Sequence, residues 1–148
     1  MESQIVLRKA EFSDVEILYK FISDLEEKEL DREGFFHAAR TNLQQPGNLY
    51  LIAEIAGEPV GVGSCHVQWL LHHAAPIAEV QEMYVVPKYR SMGVGARLLH
   101  ALVDFARSCN AENVELSSQK KRVDAHRFYV REGFQNNHLK FQLRLREA

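Results

Sequence analysis

Val80-Gln81-Glu82-Met83-Tyr84-Val85-Val86, followed after Pro87-Lys88-Tyr89 by Arg90-Ser91-Met92-Gly93-Val94-Gly95, is the stretch on which the reading of this chain turns. Its first part is rich in β-branched and aromatic residues and stops at a proline, as a strand does. Beyond it Val94, Leu98, Leu99, Leu102, Phe105 and Ala106 recur at helical spacing, which predicts a helix to about Ser108. A glycine-bearing turn between a strand and a helix leaves the first N–H groups of the helix without partners. Those donors, with the positive end of the helix dipole, suit a phosphate or pyrophosphate. Gly93 and Gly95 lack Cβ atoms, so a ligand can approach the backbone, and Arg90 adds a permanent cation. A nucleotide P-loop would need Gly-Lys-Ser/Thr, which is absent, and G-x-G-x-x-G fails at its third glycine, where Leu98 stands.

The rest of the chain is organised around this turn. Ile5 to Arg8 reads as a strand, and Ser13 as the N-cap of a helix with Glu16 completing a capping box. A second helix is expected from Arg32 to Gln45, ending before Pro46-Gly47. Leu49–Ile55 and Val60–Leu71 read as a hairpin turning at Ala56–Pro59, and Ala78–Val86 as a strand after the break at Ala74-Ala75-Pro76. Val114–Ser118 is a further strand, Asp124 caps a helix holding Tyr129, and Leu139–Leu145 alternates as a final strand. The order β-α-α-β-β-β-α-β-α-β predicts one α/β domain over residues 1–148, a mixed central sheet flanked by helices.

Composition narrows the function classes. With 148 residues, 46% apolar and 26% charged, the chain reads as a single globular domain. A net charge of −2 disfavours nucleic acid as a partner. No apolar run reaches the roughly 20 residues of a membrane span, and Met1-Glu2-Ser3-Gln4 shows no leader. Cys65 and Cys109 lack metal-ligand spacing and read as reduced thiols, so a cytoplasmic setting is expected.

Two motifs then carry a family resemblance. Arg90-Ser91-Met92-Gly93-Val94-Gly95 resembles the Arg/Gln-x-x-Gly-x-Gly/Ala signature of the GCN5-related N-acetyltransferases. Some thirty residues on, Ala125-His126-Arg127-Phe128-Tyr129-Val130-Arg131-Glu132-Gly133-Phe134 resembles the Ala-x-x-Phe-Tyr-x-x-x-Gly-Phe run that closes the cofactor site in that family. The resemblance spans essentially the whole predicted element order. It implies an acetyltransferase fold and acetyl-CoA as acyl donor. It further implies that the amides from Arg90 to Gly95 grip the pyrophosphate, and that Met83, Tyr84 and Val85 pair with the pantetheine arm, one of their N–H groups facing the acetyl oxygen.

Transfer to an amine needs a base and an acid. Tyr129 matches the family tyrosine that protonates the departing thiolate, a task open to a phenol with an ordinary pKa near 10. Glu79 and Glu82 are the candidate bases; three residues apart on a regular strand, they should face opposite sides of the sheet, and Glu79 stands where several relatives carry their base. Arg122 and His126 are candidates for the cofactor phosphates, and Ser117 and Ser118 for the pantetheine or the substrate. His66, His72 and His73 lie just before Glu79 and are candidate ligands for a divalent metal or an anionic substrate, or else solvated loop residues.

Within the family, His66-Val67-Gln68-Trp69-Leu70-Leu71-His72-His73, Glu79–Glu82 and Glu115–Gly133 resemble the aminoalkylphosphonate N-acetyltransferases. That resemblance implies a small aminophosphonate as acceptor and an activity associated with a divalent metal. Other acceptors (a polyamine, a protein amine, a drug) stay open, as does a non-catalytic acyl-CoA-binding regulator. Family relatives are often dimers, so a homodimer is admitted by the resemblance without being required by it.

Overall fold

The computed structural model describes residues 4–147, so Met1-Glu2-Ser3, read above for a leader, lies outside it. In chain order the elements are β1 (Ile5–Lys9), a 3₁₀ turn (Phe12–Asp14), α1 (Val15–Glu26), α2 (Arg32–Asn42), β2 (Asn48–Ile55), β3 (Glu58–Leu70), β4 (Ala75–Val85), a second 3₁₀ turn (Pro87–Tyr89), α3 (Val94–Ser108), β5 (Asn113–Leu116) and α4 (Val123–Arg131). The strands lie side by side in sequence order, antiparallel from β1 to β4, and β5 runs parallel to β4. This is the expected mixed sheet of an α/β fold.

Each face of the sheet is covered by a helix with one apolar stripe. On one face Ile52, Val62 and Tyr84, aligned across β2, β3 and β4, pack with Leu18, Phe21 and Ile22 of α1. On the other, Leu98 and Leu102 of α3 reach the backbone of Gly61 and Gly63, each one residue off the α1-facing positions. Leu98, Leu99 and Leu102 are almost wholly buried. By packing, the chain divides into two compact units, Met1–Leu116 and Ser117–Ala148. The first holds the whole sheet with α1, α2 and α3; the second holds α4 and the segment after it.

Several boundaries differ from the sequence reading. The β2–β3 hairpin turns on two residues, Ala56 (φ 52°) and Gly57 (φ 78°), with Ile55 opposite Glu58. Positive φ at both central positions is the geometry that a twisted two-residue hairpin demands. Pro76 does not break β4 but lies inside it, opposite Trp69, and the turn falls at Leu71–Ala74 instead. Ser13 is not a cap: it sits within the 3₁₀ turn, where the Glu11 amide donates to the Asp14 carboxylate at 2.8 Å. Asp124 is not a cap either; it lies in the first turn of α4 and pairs with Arg127 at 3.2 Å. The final strand expected over Leu139–Leu145 does not form, and the described residues after Gly133 carry no helix or strand.

Candidate active site

The first half of the site is backbone. β5 pairs with β4 only from Ile77 to Val80, where it ends opposite Val80 at Leu116. From Gln81 to Val85 β4 therefore runs on past the end of its parallel neighbour, and its peptide groups there face a gap in the sheet. This is the edge along which an extended ligand can pair as a strand would. Met83, Tyr84 and Val85 lie on it.

That edge leads into the Arg90–Gly95 turn. Ser91 (φ 66°) and Gly93 (φ 89°) both have left-handed backbone, and no side chain caps α3. A Cβ built on Gly93 meets nothing within 4 Å, so the turn is open above its backbone. Left-handed residues in such a turn aim successive N–H groups at one point and make an anion cradle. The Arg90 Nε donates to the Val85 carbonyl at 2.8 Å and its guanidinium lies 5.5 Å from the centre of the Tyr84 ring, so Arg90 also ties the turn to the end of β4. The geometry fits a pyrophosphate held by main-chain amides.

The second half is side-chain chemistry, and a bulge creates it. Ser64 stands opposite Glu82, but Cys65 stands opposite Val80 and His66 opposite Glu79, so Gln81 is the extra residue. An extra residue resets the two-residue alternation of a strand. Glu79 and Glu82 thus share the face of Ser64 and His66, the α1 face, instead of opposing each other as regular alternation predicts. Ser64 is fully buried; its hydroxyl donates to Glu82 Oε1 and accepts from the Glu82 amide at 3.1 Å. Burial raises the Glu82 carboxyl above its ordinary value; the Ser64 bond opposes that shift, and the Glu26 charge adds to it. Beside this pair the Tyr50 hydroxyl and His66 Nε2 lie 2.7 Å apart. Burial, with the nearby Glu82 charge, pushes Tyr50 up to about 12, and burial lowers the His66 imidazole, so both are neutral at neutral pH.

His66, Gln68, Leu70, Ile77, Glu79, Gln81 and Glu115 line a cavity of about 210 Å³ on this same face. No lysine or arginine is among them. The expected three-histidine ligand set is not assembled. His66 turns to Tyr50, whereas the rings of His72 and His73 lie 4.5 Å apart in the β3–β4 turn. The two nitrogens of His73 face Glu112 at 3.4 Å and Glu115 at 3.8 Å on opposite sides of its ring, which chelation of one ion does not allow. Among the described residues no group of three histidine, cysteine or acidic side chains can hold a metal ion. The residues present do not fit a metal centre.

In the second unit, Tyr129 packs between Phe128 and Phe134, with ring centres 5.3 and 5.8 Å away, and burial raises its phenol above the ordinary value. His126 Nε2 lies 2.9 Å from the Gln119 carbonyl, so that nitrogen is engaged within its own segment. Arg122 precedes α4 at its N-cap. Ser117 is exposed, while the neighbouring Ser118 hydroxyl is buried without a hydrogen-bond partner. Sequence reasoning missed Ser64 and Tyr50. A signal for Ser64 existed, since it is the one hydroxyl in the apolar run Val60-Gly61-Val62-Gly63-Ser64-Cys65.

Comparison with known proteins places the chain in a family. The Acetyltransferase (GNAT) family model matches residues 13–134. The chain belongs to that family and is an N-acetyltransferase. It is 42% identical over 135 residues to the aminoalkylphosphonate N-acetyltransferase of Salmonella typhimurium, covering 91% of this chain and 88% of that one. A putative acetyltransferase from Agrobacterium tumefaciens superposes with a TM-score of 0.82 at 25% identity, over 94% of this chain and 99% of the other. An aminoglycoside N-acetyltransferase solved with CoA superposes with a TM-score of 0.86 at 15% identity, over 99% and 97% of the two chains, a likeness of fold alone. Among the described residues no helix is long and apolar enough to cross a membrane.

Proposed function

We propose that residues 1–148 act as one acetyltransferase domain that moves the acetyl group of acetyl-CoA to the primary amine of a small molecule, with an aminoalkylphosphonate as the acceptor. The observation that carries the substrate is the 42% identity to the Salmonella enzyme over nine-tenths of the chain. Acetyl-CoA lies with its pyrophosphate on the Arg90–Gly95 amides and its pantetheine along Met83–Val85. Glu82 is the general base: its raised carboxyl is a better proton acceptor for an ammonium than an ordinary carboxylate, and Ser64 fixes its orientation. Glu79, exposed at the cavity, receives the ammonium end of the acceptor together with Glu115. The freed amine attacks the thioester carbonyl, and a main-chain N–H of β4 stabilises the oxyanion. Collapse expels the thiolate, which takes the proton of Tyr129, a phenol held protonated by burial; the extra proton on the amide nitrogen is lost to solvent, from which the phenolate regains one. Arg122 and the Ser118 hydroxyl complete the cofactor contacts. No step runs through a metal.

The acidic lining of the cavity favours a second reading. Two carboxylates and no cation suit a polyamine acceptor better than a phosphonate dianion. Release of free thiol from acetyl-CoA, measured against aminophosphonates, polyamines and amino acids, decides between them. Selective turnover of aminophosphonates, unaffected by a chelator, supports the first reading; selective turnover of polyamines replaces it. Binding of acetyl-CoA without turnover of any amine would make the chain a regulator instead.

A further inference from the structure

Tyr50 and His66 have no task in the proposed chemistry, yet they meet inside the candidate site. By register Tyr50 stands opposite Ser64, and His66 stands between Asn48 and Glu79. His66 Nε2 lies 2.7 Å from the Tyr50 hydroxyl, and the two ring centres are 5.6 Å apart. One proton lies between these atoms, and the chemistry of the two groups decides its owner. A phenol is a far stronger acid than a neutral imidazole N–H, and an imidazole nitrogen is the stronger base. The hydroxyl therefore donates and Nε2 accepts. Asn42, at the end of α2, supports that direction. Burial raises the Tyr50 phenol, and the bond to the Asn42 side chain opposes the shift, as an amide N–H donating to the phenolic oxygen does. Asn48 Nδ2 donates to the Asn42 carbonyl at 3.1 Å, which ties this end of α2 to β2. With Nε2 accepting, a neutral imidazole carries its proton on Nδ1. Burial lowers His66 and keeps it neutral. Among the described residues Nδ1 has no hydrogen-bond partner.

We propose that Tyr50 is a positioning residue that holds His66 as the Nδ1–H tautomer, and that this N–H donates to an oxygen of the acceptor. The inference rests on the reading that the acceptor occupies the cavity of about 210 Å³ that His66 lines. Of the other polar groups there, the carboxylates of Glu79 and Glu115 only accept, and they suit the ammonium end. Gln81 Nε2 is turned to the Glu79 carbonyl at 3.4 Å, and Gln68 is exposed. His66 is thus the donor whose direction a half-buried partner fixes. An acceptor with a hydroxyl, carboxylate or phosphonate oxygen near its amine meets carboxylates at one end and this N–H at the other. A polyamine has no oxygen to offer and leaves the N–H unmet. Tyr50 and His66 in this way select oxygen-bearing amines without a cation in the cavity.

Long-range proton–nitrogen correlation spectra of the native chain, with labelled histidine nitrogens, test the tautomer; His66 is assigned by its loss in His66→Gln. A protonated Nδ1 and a bare Nε2 are the expected result, and a proton on Nε2 would overturn the inference. Tyr50→Phe should show mixed tautomers and a KM for aminoethylphosphonate raised several-fold, with kcat within a few-fold. A Tyr50→Phe chain that keeps the single Nδ1–H form also overturns it. His66→Gln, whose amide falls at the Nε2 position, should raise that KM about ten-fold or more. His66→Asn, whose amide falls at the Nδ1 position, should recover part of the loss. Equal losses in the two His66 variants, or none, rule the donor role out while leaving the aminophosphonate reading in place, whether or not Tyr50→Phe folds. Selective turnover of amino acids, with the same order among the variants, supports the inference and discards the aminophosphonate. Selective turnover of polyamines overturns both.

Discussion

The Arg90–Gly95 turn and the bulged pair of strands β3 and β4, to which the proposal assigns the two ends of one reaction, are built by opposite means. The turn works with backbone. Its donors are peptide N–H groups aimed by left-handed residues, and its side chains contribute little beyond Arg90, which is partly occupied with holding the turn to Val85. The bulge works with side chains. It brings Glu79, Glu82, Ser64 and His66 to one face through a single extra residue, Gln81. A backbone site tolerates most changes of side chain and fails when a glycine is lost. A side-chain site fails by degrees, according to what each group donates or accepts.

The largest effect should therefore come from the turn. Gly93→Asp places a residue with a Cβ at φ 89° and a carboxylate where the pyrophosphate is to lie. Left-handed backbone costs a non-glycine residue about 1–2 kcal/mol, and the added charge repels the ligand outright. Calorimetry should show no acetyl-CoA binding by a folded protein. Binding at undiminished affinity would move the pyrophosphate away from this turn and remove the basis of the comparison.

The next effect separates the two glutamates. Glu82→Gln removes the proposed base and should lower kcat by about 10²–10⁴, with acetyl-CoA affinity retained. Glu79→Gln should instead raise KM for the amine and leave kcat within a few-fold, because Glu79 is exposed at the cavity and works through charge. Steady-state kinetics on both variants reads the split directly. The opposite pattern would make Glu79 the base and Glu82 a structural partner of Ser64.

The difference between the regions also explains what could be read without coordinates. The turn was legible because everything it needs is local: a strand, a proline, two glycines and a helical stripe within some thirty residues. Elements followed for the same reason, from β1 through α4. The bulge was not legible, since a register shift is a property of two strands and regular alternation wrongly separates Glu79 from Glu82. The three histidines failed as a metal set for a related reason. Their closeness in sequence does not survive a strand and a turn that aim His66 at Tyr50 and leave His72 and His73 in the β3–β4 turn. The alternation of Leu139 to Leu145 predicts a strand, but the described residues there form none.

The smallest and most discriminating effect concerns Ser64. Its hydroxyl donates to Glu82, and a hydrogen bond to an ionised carboxylate favours the charged form. The other groups facing Glu82 do not substitute for it. Tyr50 and His66 are neutral and bonded to each other, and the Glu26 charge acts in the opposite sense. Ser64→Ala removes the one contact that holds the Glu82 carboxyl down and leaves burial to raise it further. Since the base acts only when deprotonated, the acidic limb of kcat/KM should then move to higher pH. Activity well above that limb should fall much less than in Glu82→Gln. Ser64→Thr, which keeps a hydroxyl, should restore the limb toward its original position. A limb that stays in place in Ser64→Ala would show that Glu82 is not the group titrating in catalysis, even if Glu82→Gln is inactive, because a structural role for the Ser64–Glu82 pair moves stability and not the pH profile.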